Sequence, residues 1–381
     1  MDFDLSDEQR LLSDNVARLM KERCGFESRK AYQASPLGFS EELWRQYAEL
    51  GLLGAPFAES DGGYGGGAVE TMLVEEAFGR ALALEPYLAT VVLSGGVLRH
   101  GASREQREAL IPAIAAGELR ISLAHAERAA GWDLFDVATS ARRDGASFVL
   151  NGEKGLVLHG DSAQKLIVLA RTAGGRRERS GLGLFLVDPA SKGVARRGYP
   201  TQDGMRAAEV TLADVRVALE DVIGDPEGGA DVVERAVEDA IAALCAEAIG
   251  AMSEALEITT EYLKTRKQFG VAIGSFQALQ HRASDMVVAL EQARSMAMFA
   301  TMSTGEANAG ERAKAMSAAK AQIGRSAKFI GQQATQLHGG IAMTYEYKLG
   351  HLFKRLTMID MSYGDADFHL KRLGERDSLF D

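Results

Sequence analysis

The residues of this chain best equipped for chemistry form two runs in its last third. The first is Arg266-Lys267-Gln268-Phe269-Gly270, continuing to Ile273, Phe276, Gln277 and Gln280; the second, about 70 residues on, is Gln336-Leu337-His338-Gly339-Gly340. The first run opens on a guanidinium, a group that stays charged and can hold two phosphate oxygens at once. Taken alone, though, a basic residue at a helix end only complements the helix dipole, and a Gly-Gly pair after an apolar helix is an ordinary C-cap. Proton transfer asks for a carboxylate in a dry place. Glu247 follows the apolar run Ala242-Ala243-Leu244-Cys245-Ala246, where burial would lift its pKa toward that of a general base. A helix-face or interface carboxylate is the plainer reading. The stretch Asp61-Gly-Gly-Tyr-Gly-Gly-Gly67 follows a helix rather than a strand and lacks a phosphate-binding lysine, so it reads as a connecting loop.

Composition narrows the classes. The 381 residues suffice for two or three domains, and 46% hydrophobic with 25% charged residues is ordinary for a globular chain. A net charge of −10 argues against nonspecific nucleic-acid binding. The two cysteines, Cys24 and Cys245, form no CxxC or Cys/His cluster, so no metal site or disulfide framework is expected. Met1-Asp2-Phe3-Asp4 is acidic and leads directly into a helix signal, which argues against a signal peptide. No apolar run approaches the roughly 20 residues of a membrane span. A cytoplasmic location without membrane or nucleic-acid partners is expected.

The elements that must carry these residues fall into three stretches. Residues 1–117 read as helical: Ser6 with Gln9 and Ser103 with Gln106 are capping-box pairs, and Ser40 can cap a helix that Gly51 stops. Residues 118–225 switch to short alternating runs, with a hairpin-type turn signal at Asn151-Gly152, and suggest a β-barrel or sandwich. Residues 226–381 return to helix as a four-helix bundle. Val233, Val237, Ile241, Leu244 and Ala248 mark the stripe of a long helix ending near Lys264, and alanine-rich segments 283–301 and 311–337 give two more. Gly250 inside the long helix costs roughly 1 kcal/mol relative to alanine; close packing against another helix would explain it. The fold class is α+β.

Together, the two runs and this α–β–α order resemble the acyl-CoA dehydrogenase family over almost the whole chain. The resemblance implies FAD as cofactor and α,β-dehydrogenation of an acyl-CoA thioester, with electrons passed to an electron-transferring flavoprotein. It also implies that Arg266, Phe269, Gln277, Gln336, Gly339 and Gly340 hold the ADP end of the FAD of a neighbouring subunit. Arg266 would meet the pyrophosphate, Phe269 would pack on the cofactor, and the glycine pair would let backbone approach it.

The other half of the family pattern is missing. Where the family has Thr-Glu-Pro and then Gly-Ser-Asp, this chain has Ala126-Glu127-Arg128 and Gly131-Trp132-Asp133. Where the family places a Trp and a Thr against the flavin, it has Leu156 and Leu158. The family's catalytic Glu-Gly-Thr falls on Tyr363-Gly364-Asp365, and a tyrosine is a poor base at neutral pH. The alternative base position of some members aligns with Ala240.

The chain therefore resembles the base-lacking subunit of a heteromeric acyl-CoA dehydrogenase, lending FAD contacts to a second dehydrogenase-like subunit. The alternative is a self-sufficient homo-oligomer, dimer or tetramer, with Glu247 or Asp365 as a nonstandard base. A scaffold without flavin would have no need of the phosphate-binding arginine and glycine pair.

Overall fold

The computed structural model describes residues 4–376. Met1, Asp2 and Phe3, which belong to the acidic start read above, lie outside the described residues. In chain order the first helices are α1 (Asp7–Arg23), α2 (Phe26–Gln33), α3 (Glu41–Glu49), α4 (Ala68–Ala81), α5 (Gly95–Gly101) and α6 (Arg104–Ala115). The strands β1 (Ile121–Ala124), β2 (Ser140–Asp144), β3 (Ser147–Leu158), β4 (Lys165–Arg171), β5 (Leu182–Val187), β6 (Val194–Pro200), β7 (Arg206–Ala218) and β8 (Val222–Ile223) follow. The chain closes with α7 (Gly229–Thr265), the small strands β9 (Lys267–Gln268) and β10 (Val271–Ala272), α8 (Gln277–Ser303), α9 (Ala309–His338), α10 (Lys348–Met361) and α11 (Ala366–Arg376).

These elements sort into two compact units. One comprises residues 32–67 and 84–240, and the other residues 1–31, 68–83 and 241–381. The first holds the sheet. The expected barrel or sandwich takes the form of one eight-stranded sheet in the order β6-β7-β3-β2-β4-β5-β8, with β1 paired in parallel to β4. Its core gathers Phe148, Leu150, Val168, Phe185, Val210 and Val215. The turn expected at Asn151-Gly152 is not a turn. Both residues lie inside β3, where the register with β7 shifts between Leu150 and Gly152. Gly152 takes φ 152°, and a Cβ there would fall 2.5 Å from Thr139 Oγ1, so the Asn-Gly pair serves a bulge rather than a hairpin. The actual β2–β3 turn is at Gly145, with φ 61°.

In the second unit, local signals and packing agree. Ser6 and Gln9 form the capping box of α1, and in the first unit Ser103 and Gln106 form that of α6. Among its 37 residues α7 carries Gly250, and the packing partner is α4: a Cβ at Gly250 would lie 1.8 Å from the Glu76 carbonyl oxygen. The contact is reciprocal, since a Cβ at Gly79 would lie 1.9 Å from the Glu247 carbonyl oxygen. Backbone meets backbone on both sides and no flexible side chain can yield. Gly250→Ala is therefore expected to destabilise by about 1–3 kcal/mol or more despite its gain in helix propensity. Urea unfolding of the variant checks this, and an unchanged midpoint would refute the contact.

Candidate functional site

The first expected run sits on a short hairpin. After α7 ends, β9 and β10 pair antiparallel around Phe269 and Gly270, which hold φ 54° and 82°. This turn throws Phe269 outward, 90% exposed, with its ring against Phe276 at 6.1 Å. The Ile273 N–H donates to the Arg266 carbonyl, and Gln280 Nε2 donates to Gly274 O at 2.8 Å, tying the hairpin to α8. Gly274 sits flush on α7, its absent Cβ 2.8 Å from Leu263 O. Arg266 and Gln277 are exposed.

The second run ends α9. His338 is buried, stacks on Tyr262 of α7 at 4.3 Å and donates from Nδ1 to Ala334 O at 2.9 Å. Burial holds its pKa below the usual imidazole range. This histidine ties the last turn of α9 to α7, a packing role that the sequence alone did not suggest. Gly339 needs its glycine for φ 66°, but Gly340 has no such demand, and a Cβ at either position would meet nothing within 4 Å. Gln336, Gly339 and Gly340 line a cavity of about 620 Å³ together with Arg282, Gln333 and Met343. Arg282 belongs to neither run.

A third group surrounds Tyr363, the position that the resemblance aligns with the family's base. α10 ends at Met361, and Tyr363 and Gly364 turn the chain with φ 58° and 110°. Lys320 of α9 pins this corner, donating to Asp360 O at 2.7 Å and Gly364 O at 2.9 Å; burial pushes its pKa down to about 8. His369 Nε2 lies 3.1 Å from Tyr363 O. Asp365 Oδ1 accepts from the Phe368 N–H at 2.8 Å as the cap of α11. Tyr363 is half-buried, and burial raises its pKa well above the usual phenol value although Arg355 pulls it down.

Arg355 is itself committed. Its Nε and Nη2 donate to Glu247 Oε1 and Oε2, each at 2.6 Å, and both residues are buried. Such a bidentate pair leaves Glu247 no free oxygen lone pair in the direction of Arg355 and fixes its orientation. Glu75 of α4 is the third member, 3% exposed, with Oε1 lacking a hydrogen-bond partner. Burial raises its pKa, and the nearby Glu247 carboxylate raises it further against the pull of Arg355. One guanidinium thus stands among two carboxyls, and burial favours the neutral form of Glu75.

The sign for stability follows. Glu75 has a folded pKa above its unfolded value of about 4.3, so the stability it allows is fully present below that value and is lost as pH rises through the folded pKa. Glu75→Gln should match the wild type near pH 4 and become progressively more stable than it toward pH 8, with urea unfolding at both ends as the check. A gap that closes as pH rises would contradict a raised Glu75 pKa.

In the unit containing the sheet, the positions expected to face a flavin are differently furnished. Ala126 O accepts from the Gly155 N–H at 2.9 Å, and Glu127 binds the Ala138 and Thr139 N–H groups and Lys154 Nζ at 2.8–2.9 Å. Lys154 is buried, and burial lowers its pKa to about 8. Trp132 is 37% exposed and Leu156 is 48% exposed at φ 50°, while Leu158 is half-buried. Ala240 is buried in α7.

Comparison with known proteins places the fold. Sequence models of the acyl-CoA dehydrogenase N-terminal, middle and C-terminal domains match residues 6–118, 122–216 and 227–377. The chain belongs to the acyl-CoA dehydrogenase family, whose members are FAD-dependent oxidoreductases. It is similar to the probable acyl-CoA dehydrogenase YngJ of Bacillus subtilis, 28% identical over 372 residues that cover 96% of this chain and 97% of that protein. Among solved structures, a point variant of the Tcur3481–Tcur3483 steroid ACAD is 28% identical with a TM-score of 0.87, covering 97% of both chains. The ChsE4–ChsE5 complex from Mycobacterium tuberculosis shares the fold at 24% identity and a TM-score of 0.87, covering 98% of both chains. Among the described residues no helix is long and apolar enough to cross a membrane, and no cluster of metal-ligating side chains occurs.

Proposed function

We propose that this chain is the supporting subunit of a heteromeric acyl-CoA dehydrogenase, lending the ADP end of FAD its contacts while a second dehydrogenase-like subunit supplies the base. The observation that carries this reading is the state of the carboxylates. The base position holds a tyrosine whose pKa burial raises further, Glu247 is clasped by Arg355, and Asp365 caps a helix. The alternative of a self-sufficient homo-oligomer would need Glu247 or Asp365 to be released from these partners.

The dinucleotide end is furnished for a ligand. Gly340 keeps an open backbone that nothing in its own chain requires, and Arg266 has no ion-pair partner among the described residues. Arg266, Phe269, Gln277, Gln336, Gly339 and Gly340 would hold the cofactor; FAD, when bound, supplies the hydride acceptor for α,β-dehydrogenation of an acyl-CoA. Electrons would pass on to an electron-transferring flavoprotein. The flavin-ring end fits poorly, with leucine, alanine and a large indole in place of hydroxyls. The similar steroid ACAD, named for two components, supports a paired assembly.

The test is the visible spectrum of the chain purified alone and then with FAD and octanoyl-CoA. A colourless protein that gains flavin only beside a second dehydrogenase-like subunit supports the proposal. A yellow protein bleached by an acyl-CoA would overturn it and direct attention to Glu247. On the same reading Tyr363→Phe should leave turnover of the assembly within about twofold, since a protonated phenol supplies no base; a loss of a hundredfold or more would mean that the tyrosine acts.

A further inference from the structure

The cavity at the end of α9 has a feature that the two family-like runs do not explain. Arg282 is its one formally charged lining residue, among the side-chain amides of Gln332, Gln333 and Gln336 and the bare backbone of Gly339-Gly340. The chain as a whole carries ten excess negative charges, yet this cation has no ion pair among the described residues. Its recorded bond is a long one, Nη1 to Gln333 Oε1 at 3.4 Å, which leaves most of the five donors of a guanidinium unused. The last turn of α9 presents the negative end of the helix dipole to the same region, so a phosphate group settling there would need a cation opposite.

We propose that Arg282 is a second cationic contact for the diphosphate of the dinucleotide, acting with Arg266, and that it favours diphosphate nucleotides over uncharged nucleosides. This rests on the reading that the glycine pair and Arg266 hold the ADP end of FAD. Two forked guanidinium groups suit a diphosphate, which spreads its charge over oxygens on two phosphorus centres. Merely complementing the helix dipole is the competing role. That role would change the stability of the chain and leave nucleotide affinity untouched.

The experiment compares wild type, Arg282→Ala, Arg282→Gln and Arg266→Ala in the flavin-loaded assembly. Flavin fluorescence gives the FAD dissociation constant at low and high salt, competition with ADP and with adenosine gives selectivity, and thermal unfolding monitors the fold. Both Arg282 variants should weaken FAD roughly tenfold or more, flatten its salt dependence and narrow the preference for ADP over adenosine. Arg282→Gln, which keeps an amide for Gln333, guards against a folding artefact. Wild-type affinity in the Arg282 variants while Arg266→Ala loses flavin would overturn the proposal and leave the glycine-pair reading intact. So would a loss of flavin that tracks only a lowered melting temperature. Unchanged affinity in all three variants would overturn the underlying reading as well.

Discussion

Replacing Arg355 with methionine should cost about 3–5 kcal/mol near neutral pH, because it strands a buried carboxylate without its counter-charge. Glu247 receives both guanidinium bonds at 2.6 Å, and the neighbouring Glu75, a carboxyl whose pKa is raised by burial and by the Glu247 charge, offers no positive charge in exchange. The double variant Arg355→Met/Glu247→Leu removes both charges and should recover most of the stability, as apolar replacements of buried ion pairs often do. Urea unfolding of the single and double variants forms the cycle. Equal deficits in the single and double variants would show that packing rather than charge holds this corner.

The same cluster marks the limit of what the chain's pattern reveals. Capping boxes at Ser6/Gln9 and Ser103/Gln106 were legible because each is closed within one helical turn. The extent of α7 was legible too, since its apolar stripe continues without proline to Thr265. The Gly250 contact could be anticipated as a close approach, but its partner α4 lies far away in sequence and only packing identifies it. Glu247 could be singled out as a carboxylate after an apolar run, yet Arg355 stands 108 residues on and nothing local links them. Asn151-Gly152 misled for a different reason. The backbone freedom that makes Asn-Gly a turn also suits a bulge inside a long strand, and only the register with β7 separates the two.

Site residues follow the same division. Gln336, Gly339 and Gly340 were legible as a motif, and they gather round one cavity. Arg282 was not, because it reaches that cavity only through the packing of α8 on α9, and its neighbour Gln333 is 51 residues away. His338 was hidden inside the motif: its ring could be a ligand or a core side chain, and burial against Tyr262 makes it the latter. Positions 126, 132, 156 and 158 were informative through what they lack. A missing hydroxyl is visible in sequence, whereas the backbone N–H groups that could replace it are visible only in three dimensions.

Arg266→Ala should have the largest functional effect, lowering the flavin affinity of the assembly roughly ten- to a hundredfold, the worth of charge-assisted hydrogen bonds to a phosphate group. The side chain is exposed at the root of the hairpin, and its backbone carbonyl, not its guanidinium, carries the structural bond to Ile273. The substitution should therefore spare the fold and leave the melting temperature of the chain within about a degree or two. Arg266→Lys keeps the charge without the fork and should fall between. Flavin-to-protein absorbance ratios after gel filtration, set beside thermal unfolding, separate a lost contact from a lost fold. In a heteromer the flavin leaves although the partner subunit is unaltered, which is the signature of a contact made in trans. Full flavin content in Arg266→Ala would show that the hairpin does not serve the cofactor, and the supporting-subunit reading would lose its main binding residue.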